Sequence, residues 1–163
     1  MTLGMKRAAG LVVIVILLVI FGGGNSLSAA DIQQTIAKYR LAEEEFEKGN
    51  PQPFKDICSH ADDVTIMGGF GGYEKGWNAQ VEKRYDWASA RFAAEEGEQQ
   101  VENVSLVITP ELAYSVDIER TKVRLANAQG FRSMALRVTS IFRLEDGDWK
   151  LVHRHADPLV DRL

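Results

Sequence analysis

Cys58 is the only cysteine in this 163-residue chain. It can therefore form no internal disulfide, and an N-terminal lipid anchor through cysteine is excluded. Stability must come from packing, and Cys58, set in an apolar-periodic stretch, reads as a buried small hydrophobe. Basic residues are not in excess: 19 Lys and Arg stand against 23 Asp and Glu, a net charge of −4. Without a basic stripe there is little to neutralise phosphates, so nucleic acid is not an expected partner. Internal repeats and low-complexity linkers are also missing. The run Gly68-Gly69-Phe70-Gly71-Gly72 lacks both the Gly-Lys-Ser/Thr ending of a phosphate cradle and the spacing of a dinucleotide fingerprint. It reads as a turn that needs flexible backbone, and no cofactor is expected.

Long apolar runs are absent with one exception. Lys6 and Arg7 precede an unbroken apolar stretch over residues 11–21, which Gly22-Gly23-Gly24-Asn25 interrupts before the small residues Ser28-Ala29-Ala30. A spanning helix needs about 20 apolar residues, and this run is shorter. The pattern is that of a signal peptide over residues 1–30, cleaved near Ala30, with no Arg-Arg pair to suggest a twin-arginine route. The expected product is an exported protein, periplasmic or secreted, with no membrane contact after cleavage; the alternative is an N-terminal membrane anchor. The prefix takes two of the basic residues and none of the acidic ones, so residues 31–163 form one domain with a net charge of −6.

Residues 31–48 carry Ile32, Ile36, Tyr39, Ala42 and Phe46 at helical spacing. Asp31 is the expected N-cap, Gly49-Asn50-Pro51 the stop, and Glu43, Glu44, Glu45 and Glu47 fall mostly on the expected wet side. A short helix over residues 52–59 and a strand over residues 63–67 follow. A long amphipathic helix over residues 76–94 places Trp77, Val81, Tyr85, Ala88 and Phe92 on one stripe, with Trp87 beside it. Strands are then expected over residues 98–108 and 113–125. In the second of these the apolar residues Tyr114, Val116 and Ile118 suggest the inner face, with Arg120 in phase, and Ser115, Asp117 and Glu119 the outer one.

The last third holds the clearest local signal. Two alternating runs flank Asp146-Gly147, a pair suited to the two positive φ angles of a type I′ hairpin turn. Regular pairing sets Leu144 opposite Trp149, Phe142 opposite Leu151, Ser140 opposite His153 and Val138 opposite His155. His153 and His155 then share the apolar face with Met134, Leu136, Val138, Phe142 and Leu144, while Arg137, Arg143, Lys150 and Arg154 point away. Three readings of the histidines stay open: satisfied core groups, pocket groups that bind a ligand or move a proton, or, with Asp157, a metal site. No further Cys or His cluster supports the last, and none is expected to be metal-bound. His60 reads as a loop residue at the surface.

These residues carry a family resemblance. Leu136-Arg137-Val138-Thr139, the Asp146-Gly147 turn, Trp149-Lys150-Leu151-Val152 and His153-Arg154-His155 resemble the C-terminal hairpin of SnoaL-like domains in the nuclear transport factor 2-like superfamily. Asp63-Val64-Thr65, the Gly68–Gly72 run and Gly76-Trp77 extend the likeness, which covers roughly residues 32–160. It implies an α+β fold, a cone-shaped curved antiparallel sheet with helices on its concave face. It also implies kinship with ketosteroid isomerases and polyketide cyclases, which use a pocket carboxylate as base.

The expected function is binding of a small apolar or aromatic molecule between sheet and helices, with isomerase- or cyclase-like acid–base activity open. The alternative is a non-catalytic, dimeric interaction module of the same fold. Tyr39, Phe70, Trp77, Tyr85, Arg120, His153 and His155 are the candidate ligand contacts, with His155 the first choice for a proton-moving role because it lies nearer the open end. No carboxylate is expected to face the cavity from the sheet, and whether the protein is an enzyme stays undecided at this level. A homodimer is expected through the outer sheet face, pairing Ile141, Val152, Arg137 and Arg154 with Asp117 and Glu119.

Overall fold

The computed structural model describes residues 24–95 and 97–160. The expected signal segment over residues 1–30 lies largely outside them, as does the apolar run 11–21. Among the described residues no helix is long and apolar enough to cross a membrane.

Helix α1 (Gly24–Glu47) starts seven residues ahead of the expected Asp31 cap. It ends where Gly49 takes a φ of +85°, a left-handed conformation that glycine reaches without strain. Its stripe is as the periodicity predicts, with Ile32, Ile36, Tyr39 and Ala42 buried and Phe46 packed against them. Helix α2 (Gln52–Ile57) leads through buried Cys58 to the short strands β1 (Thr65–Met67) and β2 (Glu74–Lys75). The second amphipathic segment opens as a π-helical turn, Trp77–Val81, and continues as α3 (Glu82–Ser89). It is shorter than the apolar pattern suggests, yet Trp77, Val81, Tyr85, Ala88 and Phe92 are all buried.

Strands β3 (Glu98–Ile108), β4 (Leu112–Arg124), β5 (Phe131–Glu145) and β6 (Asp148–Pro158) form an antiparallel meander. The six-stranded sheet has the order β2-β1-β6-β5-β4-β3. It is curled but unclosed, and the helices pack inside the curl, as the α+β expectation has it. One pairing departs from a purely antiparallel sheet: β1 runs parallel to β6. At the hairpin, Asp146 and Gly147 have φ of +51° and +89°, and Leu144 faces Trp149 and Phe142 faces Leu151.

Beyond that point the register differs from regular pairing, and the difference decides the site. A bulge at Val152 leaves Phe142 facing Leu151 and Ile141 facing His153, so Ser140 pairs with Arg154, Thr139 with His155 and Val138 with Ala156. One extra residue flips every later side chain to the other face. Arg154 and buried Ala156 therefore turn inward, and His153 and His155 turn outward with Ile141 and Thr139, correcting the expected faces. Strand β4 is inverted as well. Ala113, Ser115, Asp117, Glu119, Thr121 and Val123 are buried inside, whereas Tyr114 and Arg120 are exposed outside. The apolar residues Tyr114, Val116 and Ile118 had suggested the opposite because the outer face of β4 is the more apolar one. The outer patch expected to pair across a dimer consequently loses Arg154, Asp117 and Glu119 to the interior.

Candidate functional site

The inner face divides into two parts. Near the hairpin, Phe142, Leu151, Trp149 and Ala113 join Ile32, Tyr39 and Phe54 in one apolar core. Past the bulge, the same face meets α1 with polar groups. Tyr39, Glu43 and Glu47 lie four residues apart on α1 and so share one helix face. Opposite them stand Ser140 on β5, Glu119 and Thr121 on β4, and Arg154 on β6.

Arg154 organises this cluster. Its Nη2 donates to Glu43 Oε1 at 3.0 Å and to Glu119 Oε2 at 2.6 Å, and its Nε donates to Tyr39 Oη at 2.8 Å. Ser140 Oγ donates to the same tyrosine oxygen at 3.2 Å. Glu43 is 4% exposed and Glu119 3%, so two carboxyls and one guanidinium occupy a site nearly free of bulk water. An assembly of this kind contributes little net stability, because desolvation offsets the Coulomb attraction. Among the described residues, Glu43 Oε2 and Thr121 Oγ1 have no hydrogen-bond partner and are buried. Deeper along β4, Asp117 accepts from Asn103 at 2.7 Å and faces Arg40 at 3.9 Å.

Burial pushes the Glu43 carboxyl well up, with Glu119 adding to the effect and Arg154 opposing it. Burial, then the charge of Glu119, also raises Glu47, to about 7. Tyr39 is held well above its ordinary value by burial, with Arg154 pulling the other way. Burial thus biases Glu43 toward its protonated form, while Glu47 exchanges a proton near neutrality. This is the separation of carboxyl roles that acid–base chemistry uses.

The cluster forms the polar end of a cleft with a cavity volume of about 70 Å³. Its walls are apolar: Phe46, Phe54, Ile66, Tyr85, Phe92, Met134 and Leu136, with Phe70, Gly68 and Gly69 from the loop after β1 and Arg84 beside them. Gly69 has a local reason to be glycine, since a Cβ there would sit 3.2 Å from the Leu136 side chain.

The candidates named from the sequence separate clearly. Tyr39 belongs to the cluster, and Phe70 and Tyr85 line the cleft. Trp77 is buried beside Tyr85 and stacks on His60 at 4.1 Å, behind the cleft wall rather than on it. Arg120 is exposed on the outer face and pairs with Glu102 at 2.9 Å. His153 is half-buried on that face and shares a 2.8 Å hydrogen bond with Thr65 Oγ1; burial, then His155, lowers its pKa. His155 is exposed in a shallow hollow with Met67, Tyr73 and Pro158, apart from the cleft. Asp157, the third residue of the metal-site reading, pairs with Arg137. No group of three or more potential metal ligands occurs among the described residues.

Glu43, Glu47, Glu119 and Arg154 are the residues that sequence reasoning missed. The four-residue spacing from Tyr39 was a readable signal for the two on α1. The placement of Glu119 and Arg154 depends on a strand inversion and a bulge that the alternation concealed.

Comparison with solved structures agrees on the fold. A nuclear transport factor 2-like superfamily protein from Salmonella enterica superposes with a TM-score of 0.68 at 14% identity, over 83% of this chain and 94% of that one. A candidate scytalone dehydratase from Novosphingobium aromaticivorans gives 0.65 at 12% identity, over 86% and 89%. A candidate calcium/calmodulin-dependent protein kinase type II association domain from Thiobacillus denitrificans gives 0.62 at 19% identity, over 78% and 94%. No curated protein matches the chain at a significant level. The model of the SnoaL-like domain matches residues 32–161, so the curled sheet, the helices within it and the cleft between them are those of a SnoaL-like domain, the family to which this chain belongs.

Proposed function

We propose that the protein binds a small apolar or aromatic molecule in the cleft between α1, α3 and the sheet, and exchanges a proton with it through Glu47. The observation that carries this reading is the convergence of Glu43, Glu47, Glu119, Tyr39 and Arg154 at one end of an apolar cleft. Pockets of this build use apolar walls for affinity and a few polar groups for orientation. Glu43 supplies a retained proton for a ligand oxygen, and Glu47, at about 7, is matched to proton exchange at neutral pH. The relationship to a candidate dehydratase supports chemistry of the isomerase, cyclase or dehydratase kind. The cavity, about 70 Å³, lies well below the roughly 300 Å³ lower bound typical of drug-sized sites. The ligand is accordingly a small ring system, admitted as Phe70 and Met134 turn.

Fluorescence titration with naphthol tests the reading. Saturable binding is expected, to be abolished by Leu136→Trp, which fills the cleft, and to show an inflection near pH 7 that Glu47→Gln removes. Equal binding by the Leu136→Trp variant would place the ligand elsewhere.

Two further features belong with this proposal. Residues 1–30 act as an export signal, and intact-mass analysis of exported protein should find a chain beginning at Asp31. The outer sheet face, with Tyr114, Leu112 and Ile141 among charged neighbours, serves self-association, so Ile141→Asp should yield monomers in light scattering where the unmutated chain is dimeric. The likeness to a candidate association domain favours this second role alongside ligand binding.

A further inference from the structure

At the rim of the cleft, two arginines lie against one indole. Trp87 is 42% exposed, and the Cζ atoms of Arg91 and Arg84 stand 3.7 Å and 4.2 Å from its ring centroid. Arg91 also approaches the Phe70 ring at 5.7 Å, and Phe70 packs on Phe92 at 5.6 Å, so the stack is continuous with the cleft wall. Arg84 has a counter-charge in Glu74 at 3.6 Å and donates to the Gly71 carbonyl. Arg91 has no carboxylate partner among the described residues. Of the described acids near it in sequence, Glu82 and Asp86 pair with Lys55, and Glu95 with Arg124.

Stacking on an aromatic face orients a guanidinium while leaving its in-plane donors free for a carboxylate. Two like charges held on one ring repel each other, and an anion beside the ring relieves that repulsion. The inner end of the cleft has the opposite character. There the Arg154 donors are taken by Glu43, Glu119 and Tyr39, and Glu47 adds a further acid. A ligand carboxylate finds no free donor at the inner end and two guanidinium groups at the rim.

We propose that Arg91, with Arg84 and Trp87, is an anion-recognition subsite, and that the ligand is an aromatic hydroxy acid entering ring first with its carboxylate at the rim. This rests on the cleft being the ligand site. It adds a class of ligand and a direction of entry: hydroxyl toward Glu43, carboxylate toward Arg91.

Naphthol and hydroxynaphthoate, which share a ring system and differ in the carboxylate, form the test by fluorescence titration. The carboxylate is expected to tighten binding to the unmutated chain about tenfold at low salt, as a charge-assisted pair does, and much less in about 0.5 M salt, where screening is strong. Arg91→Gln should remove most of that advantage and leave naphthol affinity within about twofold, with Arg91→Lys intermediate because it keeps charge without the planar fork. Hydroxynaphthoate unaffected by Arg91→Gln, or both ligands weakened alike, would overturn the subsite. The cleft reading fails separately. Naphthol that does not bind, with hydroxynaphthoate still bound through Arg91, would sink the cleft and keep the rim. Failure of both ligands to bind would sink both.

Discussion

The two parts of the inner sheet face, on either side of the Val152 bulge, are built from the same strands and filled by opposite means. Toward the hairpin, Phe142 and Leu151 are 0% and 1% exposed, and Tyr39 meets Phe142 edge-on at 5.7 Å. There burial of apolar surface stabilises the fold, at about 25 cal/mol per Å² removed from water. Past the bulge, comparable depth is occupied by carboxyls, a guanidinium and two oxygens without a partner among the described residues. An apolar filling would stabilise that region as well or better. A region that forgoes stability in this way is the candidate functional site, because local rules are broken where function requires it.

The largest expected effects come from striking each part at its centre. Phe142→Ala should lose about 3–5 kcal/mol through the cavity it leaves, at any pH between 4 and 8. Arg154→Met should lose a similar amount near pH 7, about 3–5 kcal/mol, because it leaves the buried Glu43 and Glu119 without the guanidinium that binds them. Only the second loss should fade in acid. Below the ordinary carboxylate value of 4.5 Glu43 holds its proton both folded and unfolded, so its pairing with Arg154 no longer counts there. Urea denaturation at pH 4 and pH 7 separates the two, and equal pH dependence would erase the distinction between the regions.

A smaller effect is expected where the regions join. Val152 is the extra residue of the bulge, so deleting it brings His153 directly after Leu151 and leaves Arg154 opposite Ser140. The deletion should cost about 1–2 kcal/mol, within the ordinary range for a local backbone change. It should also preserve the inflection of naphthol binding near pH 7. Loss of the inflection would mean that the twist contributed by the bulge, and not register alone, shapes the site.

This junction is also where the sequence stops being legible. The Asp146-Gly147 turn, the buried stripes of α1 and α3 and the order of elements can all be read, since each rests on local periodicity or turn chemistry. The faces of β4 and of the second half of β6 cannot. In β4 the alternation is real, but Tyr114, Val116 and Ile118 make the outer face the more apolar, and the inner face is polar because it lines a cleft. In β6 no glycine or other turn residue marks the bulge, and His153-Arg154-His155 reads equally well in either phase. The site went unseen for the same reason that it exists: polar residues occupy positions where burial predicts apolar ones.

Glu47→Gln should be gentler and of opposite sign. A carboxyl whose folded value is about 7, against an ordinary 4.5, contributes no penalty below pH 4.5, where it is protonated in both states. As pH rises toward 7 the unfolded chain ionises first, and stability falls. The full gap corresponds to about 3 kcal/mol, and solvent at the mouth of the cleft reduces this to about 1 kcal/mol. Glu47→Gln should therefore be about 1 kcal/mol more stable than the unmutated chain at pH 8 and equal to it at pH 4. Thermal melts at the two values check this, and a variant less stable at pH 8 would show that the Glu47 charge is favoured in the fold.

The smallest expected effect is at His155, and it bears on the difference between the inner and outer faces. With regular pairing His155 would sit within the cavity, and its loss would disturb ligand binding. The bulge turns it outward beside Thr139, exposed, in a hollow bounded by Met67 and Tyr73. His155→Ala should change stability by no more than about 0.5 kcal/mol, as for surface positions without buried partners. It should leave both naphthol affinity and the inflection near pH 7 unchanged. It should also raise the pKa of His153, because the charge of His155 is one of the two influences that lower it, after burial. NMR titration of the histidine ring protons reads that shift directly. A His155→Ala variant that lost naphthol binding with His153 unmoved would put His155 back among the groups of the cleft, and the division of β6 at Val152 would no longer separate the site from the surface.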